Sequence, residues 1–209
     1  MKVILVNGSP HPEGCTFTGL SFIAEELHAA GIETKIFQLG TDPMEGCRAC
    51  RGCFKIDACV IDDLVNEFTE LAKEADGFVF GSPVHFASAG GKITSFMDRV
   101  FYSTIRRRAI FRGKPGATVV SCRRGGSTAA LDQLNKYIAY SQMPMVTSQY
   151  WNMIHGNTPE EVLQDLEGVQ IMRTLGKNMA WLLRCIEAGA AAGVELPPLE
   201  RGTFTNFIR

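Results

Sequence analysis

Four of the seven cysteines lie within thirteen consecutive positions, in the pattern C-x2-C-x2-C-x5-C. They are Cys47, Cys50, Cys53 and Cys59. Steps of three residues let one tight loop direct several thiolates at a single centre, and ferredoxin motifs begin with the same C-x2-C-x2-C spacing. Thiolates are soft ligands that bind iron–sulfur clusters or zinc. The spacing therefore predicts a soft metal centre, and an iron–sulfur cluster is favoured over structural zinc, redox-active thiols or the remnant of an ancestral cluster.

A loop rich in glycine, proline and hydroxyl side chains extends from Asn7 to Thr16. It joins a predicted strand to a predicted helix, so backbone N–H groups of the helix N-terminus lie beside the hydroxyls of Ser9 and Thr16. Such a site stabilises a dianion without a lysine, through the helix dipole and charge-assisted hydrogen bonds. The loop therefore predicts a phosphate site that also includes His11 and Cys15. A plain turn rich in Gly and Pro is the alternative.

Two further loops follow predicted strands and could hold a flat heteroaromatic ring. In the second loop along the chain, backbone groups would hydrogen-bond the polar edge of the ring while Phe86 or Pro83 covers one face. In the third loop, glycines permit close backbone approach, and an arginine adds positive charge. The alternative for the arginines is simple solvation. The candidate residues are Pro83, Val84, His85 and Phe86 in the second loop, and Ser121, Arg123, Gly125 and Gly126 in the third loop.

The elements that must position these loops alternate between short apolar runs and helical patterns, which is typical of an α/β fold with a parallel sheet. Strands are predicted at 3–6, 34–39, 78–81, 117–121 and, more weakly, 145–150. Helices are predicted at 16–30, from 62 onward, and at 90–101, 128–140 and 158–190. Five parallel strands with helices on both faces bind ligands beyond the carboxyl ends of the strands, where all three loops would meet.

Three motifs follow one another along the chain: Gly8-Ser9-Pro10, Gly81-Ser82-Pro83-Val84, and Gly91-Lys92 followed by Phe96-Met97-Asp98-Arg99. In this order and spacing they resemble the NAD(P)H-dependent FMN reductase family. The resemblance extends from Met1 to about Tyr140. The segment Gly46–Cys53, with Cys59 to Asp63, resembles the iron–sulfur flavoprotein branch of that family.

The resemblance implies a flavodoxin-like three-layer sandwich with strand order 2-1-3-4-5. It also implies FMN, with phosphate at Ser9, His11 and Thr16 and the ring at 83–86 and the third loop, NAD(P)H as co-substrate, and a 4Fe–4S cluster on the four cysteines. No catalytic side chain is required, because the flavin carries the chemistry. The sequence departs from the family at His11, where a basic residue is common, at Cys15, where Asn or Ser is common, and at His85, where Tyr or Trp is common.

The composition suits one compact protein without a nucleic-acid or membrane surface. The 209 residues include 21 Lys and Arg against 22 Asp and Glu, for a formal charge of −1. No broad basic field exists to attract nucleic acid or an acidic membrane. We expect a cytoplasmic domain over 1–192 with a cysteine-rich insertion at 41–61, a tail at 193–209, and a homodimer or homotetramer. Three functions remain open: an NAD(P)H-dependent reductase of a small-molecule acceptor, an electron carrier that takes electrons from ferredoxin, and a regulatory flavin- or metal-binding module without turnover.

Overall fold

The computed structural model describes residues 1–200 and 202–207 and contains a six-stranded sheet. Residues 201, 208 and 209 of the predicted tail lie outside the described residues. Five strands are parallel in the order β2-β1-β3-β5-β6, and β4 pairs antiparallel with the end of β3. The strands are β1 (Lys2–Asn7), β2 (Glu33–Gln38), β3 (Gly77–His85), β4 (Ser88–Ala89), β5 (Gly116–Cys122) and β6 (Met153–His155).

Helices cover both faces of the sheet, and each face has its own apolar core. They are α1 (Cys15–Ala29), α2 (Cys53–Ile56), α3 (Leu64–Lys73), α4 (Gly91–Ser103), α5 (Ser127–Tyr140), α6 (Pro159–Val162) and α7 (Leu166–Ala191). Side chains of α3, α4 and α5 pack on one face and those of α1 and α7 on the other. No helix in the described part of the chain is long and apolar enough to cross a membrane. The flavodoxin-like three-layer prediction is confirmed.

The parallel order 2-1-3-4-5 predicted for five strands is confirmed when the two-residue β4 is set aside, but the position of the fifth strand was wrong. Within 145–150, Met145 makes only an isolated bridge to Gly116. The Ser148 hydroxyl then donates to the Tyr150 carbonyl at 2.8 Å and turns the chain. Pairing with β5 resumes at Met153–His155. The strand is three residues long, too short to give a periodic signal.

The predicted long helix 158–190 is two helices. Thr158 caps α6, whose only turn ends at Val162. Asp165 then caps α7 by accepting the Gly168 N–H at 3.0 Å. An aspartate cap begins a helix as effectively as a serine or threonine cap, which is why the chain can turn and start again here.

Candidate functional site

The carboxyl ends of the central strands bring the three predicted loops to one edge of the sheet. Asn7 of β1 pairs with Gly81 of β3, and Pro83 of β3 pairs with Ser121 of β5. The Gly8 N–H donates to the Gly81 carbonyl at 2.9 Å. A side chain at position 8 would place its Cβ 2.7 Å from that carbonyl oxygen, so only glycine permits this approach. The first two loops are therefore joined directly by backbone.

The side-chain amides of the buried Asn7 and the half-buried Gln38 fix the first loop. The Asn7 side-chain amide donates to Gln38 Oε1 at 2.6 Å, and its Oδ1 accepts the Ser9 N–H at 3.1 Å. Gln38 in turn donates to the Ser9 carbonyl at 2.7 Å. The Ser9 hydroxyl is buried and accepts the His11 N–H at 3.1 Å. The loop is thus held in a single shape by side chains that the sequence did not single out.

The N-terminus of α1 opens onto this loop. Gly14 occupies the cap position and supplies no side-chain acceptor to the first N–H groups of the helix. Those N–H groups have no partner within the helix and so are free to bind an anion. His11 is exposed beside them, while Thr16, the second residue of the helix, is buried. This arrangement is able to hold a phosphate.

A hydroxyl pair connects the first and third loops. Thr16 Oγ1 and Ser121 Oγ, both buried, lie 2.8 Å apart. The neighbouring Cys15 is half-buried, and its thiol lies 3.6 Å from the Gly156 carbonyl oxygen that accepts from it. Burial raises the pKa of the Cys15 thiol, which keeps it protonated and suited to donating that hydrogen bond. Cys15 therefore connects the first loop to a fourth loop, which contains Gly156.

The second loop forms a tight hairpin between β3 and β4. Its two turn residues, Phe86 and Ala87, have φ angles of +47° and +59°. Hairpin turns with two positive φ angles normally use Asn-Gly, because other side chains are strained there. Phe86 is nonetheless fully exposed, and its neighbour His85 is exposed as well. The backbone strain at Phe86 and Ala87 makes this hairpin a candidate part of a binding site.

The third loop touches this hairpin. Gly126 has a φ of +95°, and a Cβ there would lie 2.4 Å from the Ala87 Cα. Cys122 is buried just before it, and burial raises the pKa of its thiol. Arg123 and Gly125 are exposed at the same edge. Glycine at 126 is therefore required for the contact between the loops, and the arginine adds positive charge at the sheet edge.

A fourth loop, 155–158, was not identified from the sequence because the fifth strand was predicted too early. His155 ends β6, and its N–H donates to Asp165 Oδ2 at 2.7 Å. The ring nitrogen Nδ1 lies 3.4 Å from the same oxygen. Gly156 donates to the Cys122 carbonyl at 3.1 Å. Thr158-Pro159, which was recognised as a helix start, was the signal that a strand-end loop immediately precedes it.

The four predicted metal-ligating cysteines line one cavity. Cys53 is buried, Cys59 is half-buried, and Cys47 and Cys50 are exposed. Burial raises the pKa of the Cys53 thiol, and negative charge on the other three cysteines would raise it further. The four thiols are therefore close enough to one another to interact electrostatically. Among the described residues, no group of three or more His, Cys, Asp or Glu side chains is arranged to hold a single metal ion.

The backbone of the cysteine segment is shaped by left-handed residues and by one amide. Ala49, Arg51 and Asp57 have φ angles of 50°, 59° and 55°. Asn66 on α3 accepts the Cys59 N–H at 2.9 Å and donates to the Cys59 carbonyl at 3.0 Å. The segment thus turns sharply between its cysteines, and the last of them is fixed to α3 by its backbone alone.

Arg99 on α4 connects the cysteine cavity to the rest of the protein. Its side chain is 1% exposed and makes two hydrogen bonds to the Asp63 carboxylate, at 2.6 and 2.9 Å. Nε and Nη2 lie 3.4 and 3.3 Å from Cys59 Sγ, and Nη2 also donates to the Ile61 carbonyl at 2.9 Å. Burial opposes the charge, but the hydrogen bonds to Asp63 and Cys59 outweigh it and raise the pKa of Arg99. The guanidinium is therefore charged beside a thiol.

One protein-family model and two iron–sulfur flavoproteins match most of this chain. The family model described as NADPH-dependent FMN reductase matches residues 1–158. An iron–sulfur flavoprotein of Methanocaldococcus jannaschii is 33% identical over 198 residues, covering 90% of this chain and 100% of the relative. An iron–sulfur flavoprotein of Archaeoglobus fulgidus is 29% identical over 196 residues, covering 88% of this chain and 98% of the relative.

Solved structures share the fold at low sequence identity. A flavodoxin from the domain Archaea superposes with a TM-score of 0.58 at 17% identity, covering 88% of this chain and 99% of that protein. An NADH:FMN oxidoreductase in its apo form superposes with a TM-score of 0.59 at 16% identity, covering 88% and 89%. At this identity the likeness shows the flavodoxin-like fold.

Proposed function

Because the chain belongs to the NADPH-dependent FMN reductase family, we propose that it is an FMN-dependent oxidoreductase of the iron–sulfur flavoprotein type that is reduced by NAD(P)H. The observation that carries the proposal is the joining of the three loops at one edge of the sheet, through Gly8 against Gly81, Thr16 against Ser121, and Gly126 against Ala87. A parallel sheet of this kind binds its ligand at that edge.

The first loop suits the phosphate of FMN. The N–H groups that begin α1 lack a side-chain cap, and the buried Ser9 hydroxyl has lone-pair and proton capacity to spare after accepting from His11. Thr16 is hydrogen-bonded to Ser121, and Cys15 donates to Gly156. We therefore assign the main phosphate contacts to Ser9, His11 and the helix N–H groups, with Thr16 and Cys15 fixing the loop.

The second and third loops suit the flat ring. Backbone groups from Val84 to Phe86 can hydrogen-bond its polar edge, and Phe86 or Pro83 can cover one face. The close approach of Gly126 to Ala87 keeps the third loop beside the hairpin, and Arg123 adds positive charge, which would stabilise an anionic reduced ring. When bound, FMN would accept a hydride from NAD(P)H and pass the electrons on in pairs or singly.

The cysteine cavity suits an iron–sulfur cluster. Four thiols line one space, which is the ligand number of a 4Fe–4S cluster. Such a cluster would supply one-electron transfer. Arg99 lies against the Cys59 thiol and offsets negative charge there. A cluster on these four thiols would be a one-electron centre. The four thiols therefore also favour the alternative function, an electron carrier with ferredoxin as the donor.

One preparation tests both cofactors and both functions. The protein is purified anaerobically, and its visible spectrum is recorded with iron and acid-labile sulfide analysis. Stopped-flow mixing with NADPH or NADH, and separately with reduced ferredoxin, then follows bleaching of the flavin absorbance. A reductase bleaches with the nicotinamide, whereas a carrier bleaches only with ferredoxin. Zinc without iron or sulfide would contradict the cluster, and a colourless protein that takes up no added FMN would contradict the whole proposal.

Phe86 provides a prediction about the ring. Phe86→Ala is expected to weaken FMN binding about fivefold, because an aromatic contact contributes about 1 kcal/mol beyond its area. Since Phe86 is fully exposed, the thermal unfolding of the apo-protein should stay unchanged or rise slightly. FMN titration followed by fluorescence quenching measures the first and calorimetry the second. Trp181→Ala, an exposed aromatic on α7, is the matched control and should not affect FMN. Equal FMN affinities in both variants would remove Phe86 from the site.

We also propose that residues 1–192 form one domain, with 41–61 inserted between β2 and α3, and that the chain assembles as a homodimer or homotetramer. Large exposed apolar side chains support the assembly. They include Trp151, Leu166, Trp181, Phe204 and Phe207. A single copy that leaves this much apolar surface in water is more soluble when copies cover it. The charge and the absence of a spanning helix among the described residues are compatible with a cytoplasmic location.

A further inference from the structure

Three cations at seven-residue intervals hold the cysteine segment against α4. Lys92 Nζ donates to the Gly40 and Asp42 carbonyls at 3.0 and 2.5 Å. Arg106 Nη1, just beyond the end of α4, donates to the Phe54 carbonyl at 3.0 Å. Lys92 thus binds backbone oxygens, and Arg106 binds a backbone oxygen and also lies over the Phe54 ring, 5.6 Å from its centroid. Arg99, midway between them, is the one of the three that also contacts sulfur.

The contact between Arg99 and Cys59 is fixed on both sides. The guanidinium cannot rotate, because Asp63 binds it through two nitrogens and the Ile61 carbonyl takes a further hydrogen bond. The Cys59 backbone cannot shift, because Asn66 binds both its N–H and its carbonyl. Two N–H groups of Arg99 therefore point at the Sγ atom of a cysteine whose backbone is held in place.

We propose that Arg99 is a positioning residue that aims the Cys59 thiolate and raises the reduction potential of the centre bound there. Reduction adds one electron and one negative charge to an iron–sulfur cluster, and hydrogen bonds to a ligand sulfur together with a nearby cation stabilise that more negative state. Asp63 moderates the effect, because its carboxylate neutralises part of the guanidinium charge. The proposal rests on the proposed function, since it requires a redox centre on the four cysteines.

The test measures the potential of the cluster in the full chain, by potentiometric titration followed by electron paramagnetic resonance. Arg99→Gln is expected to lower the potential by at least the equivalent of a tenfold change in the equilibrium constant, about 59 mV for one electron. Arg99→Lys, which keeps the charge but cannot fork between Asp63 and the sulfur, should lower it less. Asp63→Asn should raise it, because the guanidinium charge is then less neutralised while asparagine still caps α3.

Opposite shifts for the Arg99 and Asp63 variants distinguish this role from a structural one, since loss of structure would move both in the same direction. Lys92→Gln removes a cation that also holds the segment but touches no sulfur, and its shift should be much smaller than that of Arg99→Gln. If Arg99→Gln does not fold, Arg99→Lys and Asp63→Asn decide the matter by the sign of their shifts. A cluster with the same potential in these variants overturns the role of Arg99 alone. A wild-type protein that binds no iron and sulfide on anaerobic reconstitution overturns the cluster as well.

Discussion

Cys59→Ser is expected to reduce bound iron and sulfide at least about tenfold while the protein still binds FMN. Loss of a ligand costs more than loss of a group behind a ligand, which already lowers metal affinity about 10–100-fold. The backbone at this position should not move, because Asn66 holds the Cys59 N–H and carbonyl whatever the side chain is. The measurement is iron and sulfide per flavin in the anaerobically reconstituted variant.

The control for Cys59→Ser is Cys185→Ser. Cys185 is exposed on α7, which packs on the other face of the sheet from α3 and α4. Its replacement should leave the iron, sulfide and flavin contents at wild-type values. Wild-type iron content in Cys59→Ser would remove this residue from the ligand set. Joint loss of iron and flavin would instead point to unfolding, which circular dichroism of the variant detects.

Gly126→Ala is expected to weaken FMN binding at least about tenfold and to destabilise the protein by about 2–5 kcal/mol. The positive φ of Gly126 costs an alanine about 1–2 kcal/mol, and the Cβ would lie 2.4 Å from the Ala87 Cα. That neighbour is backbone, so the hairpin and the third loop must move apart at a further cost of about 1–3 kcal/mol. Separating the loops disturbs the proposed ring site as well as the fold, and FMN titration and thermal unfolding report the two effects.

The adjacent Gly125 is the matched control for stability. It has open space around its Cα and no positive φ, and it is exposed. Gly125→Ala should therefore unfold within about 0.5 kcal/mol of the wild type, whereas Gly126→Ala should unfold on the order of 10 °C earlier. Similar unfolding temperatures for the two variants would show that the loops are not packed as described.

The long, periodic elements could be predicted from the sequence, and the short or locally strained ones could not. The predictions for β1, α1 and α5 each lie within two residues of the observed bounds, because β1 is an uninterrupted apolar run and the apolar residues of the two helices recur with a clear period. The strand Met153–His155 has too few residues for a period. The turn at Phe86 and Ala87 was missed because neither residue is of a type that favours a positive φ.

The candidate site shows the same division. The loops and the four cysteines were visible as motifs, because their residues are neighbours in sequence. The contacts that fix the loops and the cysteines could not be read from the motifs. Gln38, Asn66 and Arg99 make these contacts, and none of the three belongs to the loop or the cysteine motif that it holds. Arg99 is separated from Cys59 by 40 positions. Only the packing of α4 against α3 and the cysteine segment brings them together.

The course of α4 also sets a fixed spacing inside the molecule. The helix begins at Gly91, two residues after the hairpin strand β4, and reaches the cysteine cavity at Arg99. Eight residues advance an α-helix by about 12 Å, and each residue rotates it by about 100°. Adding one residue between these points would turn the guanidinium away from the sulfur as well as lengthen the gap. The distance from the hairpin to Arg99 is therefore set by the rise of the helix, whereas the four cysteines that line the cavity belong to the segment 41–61.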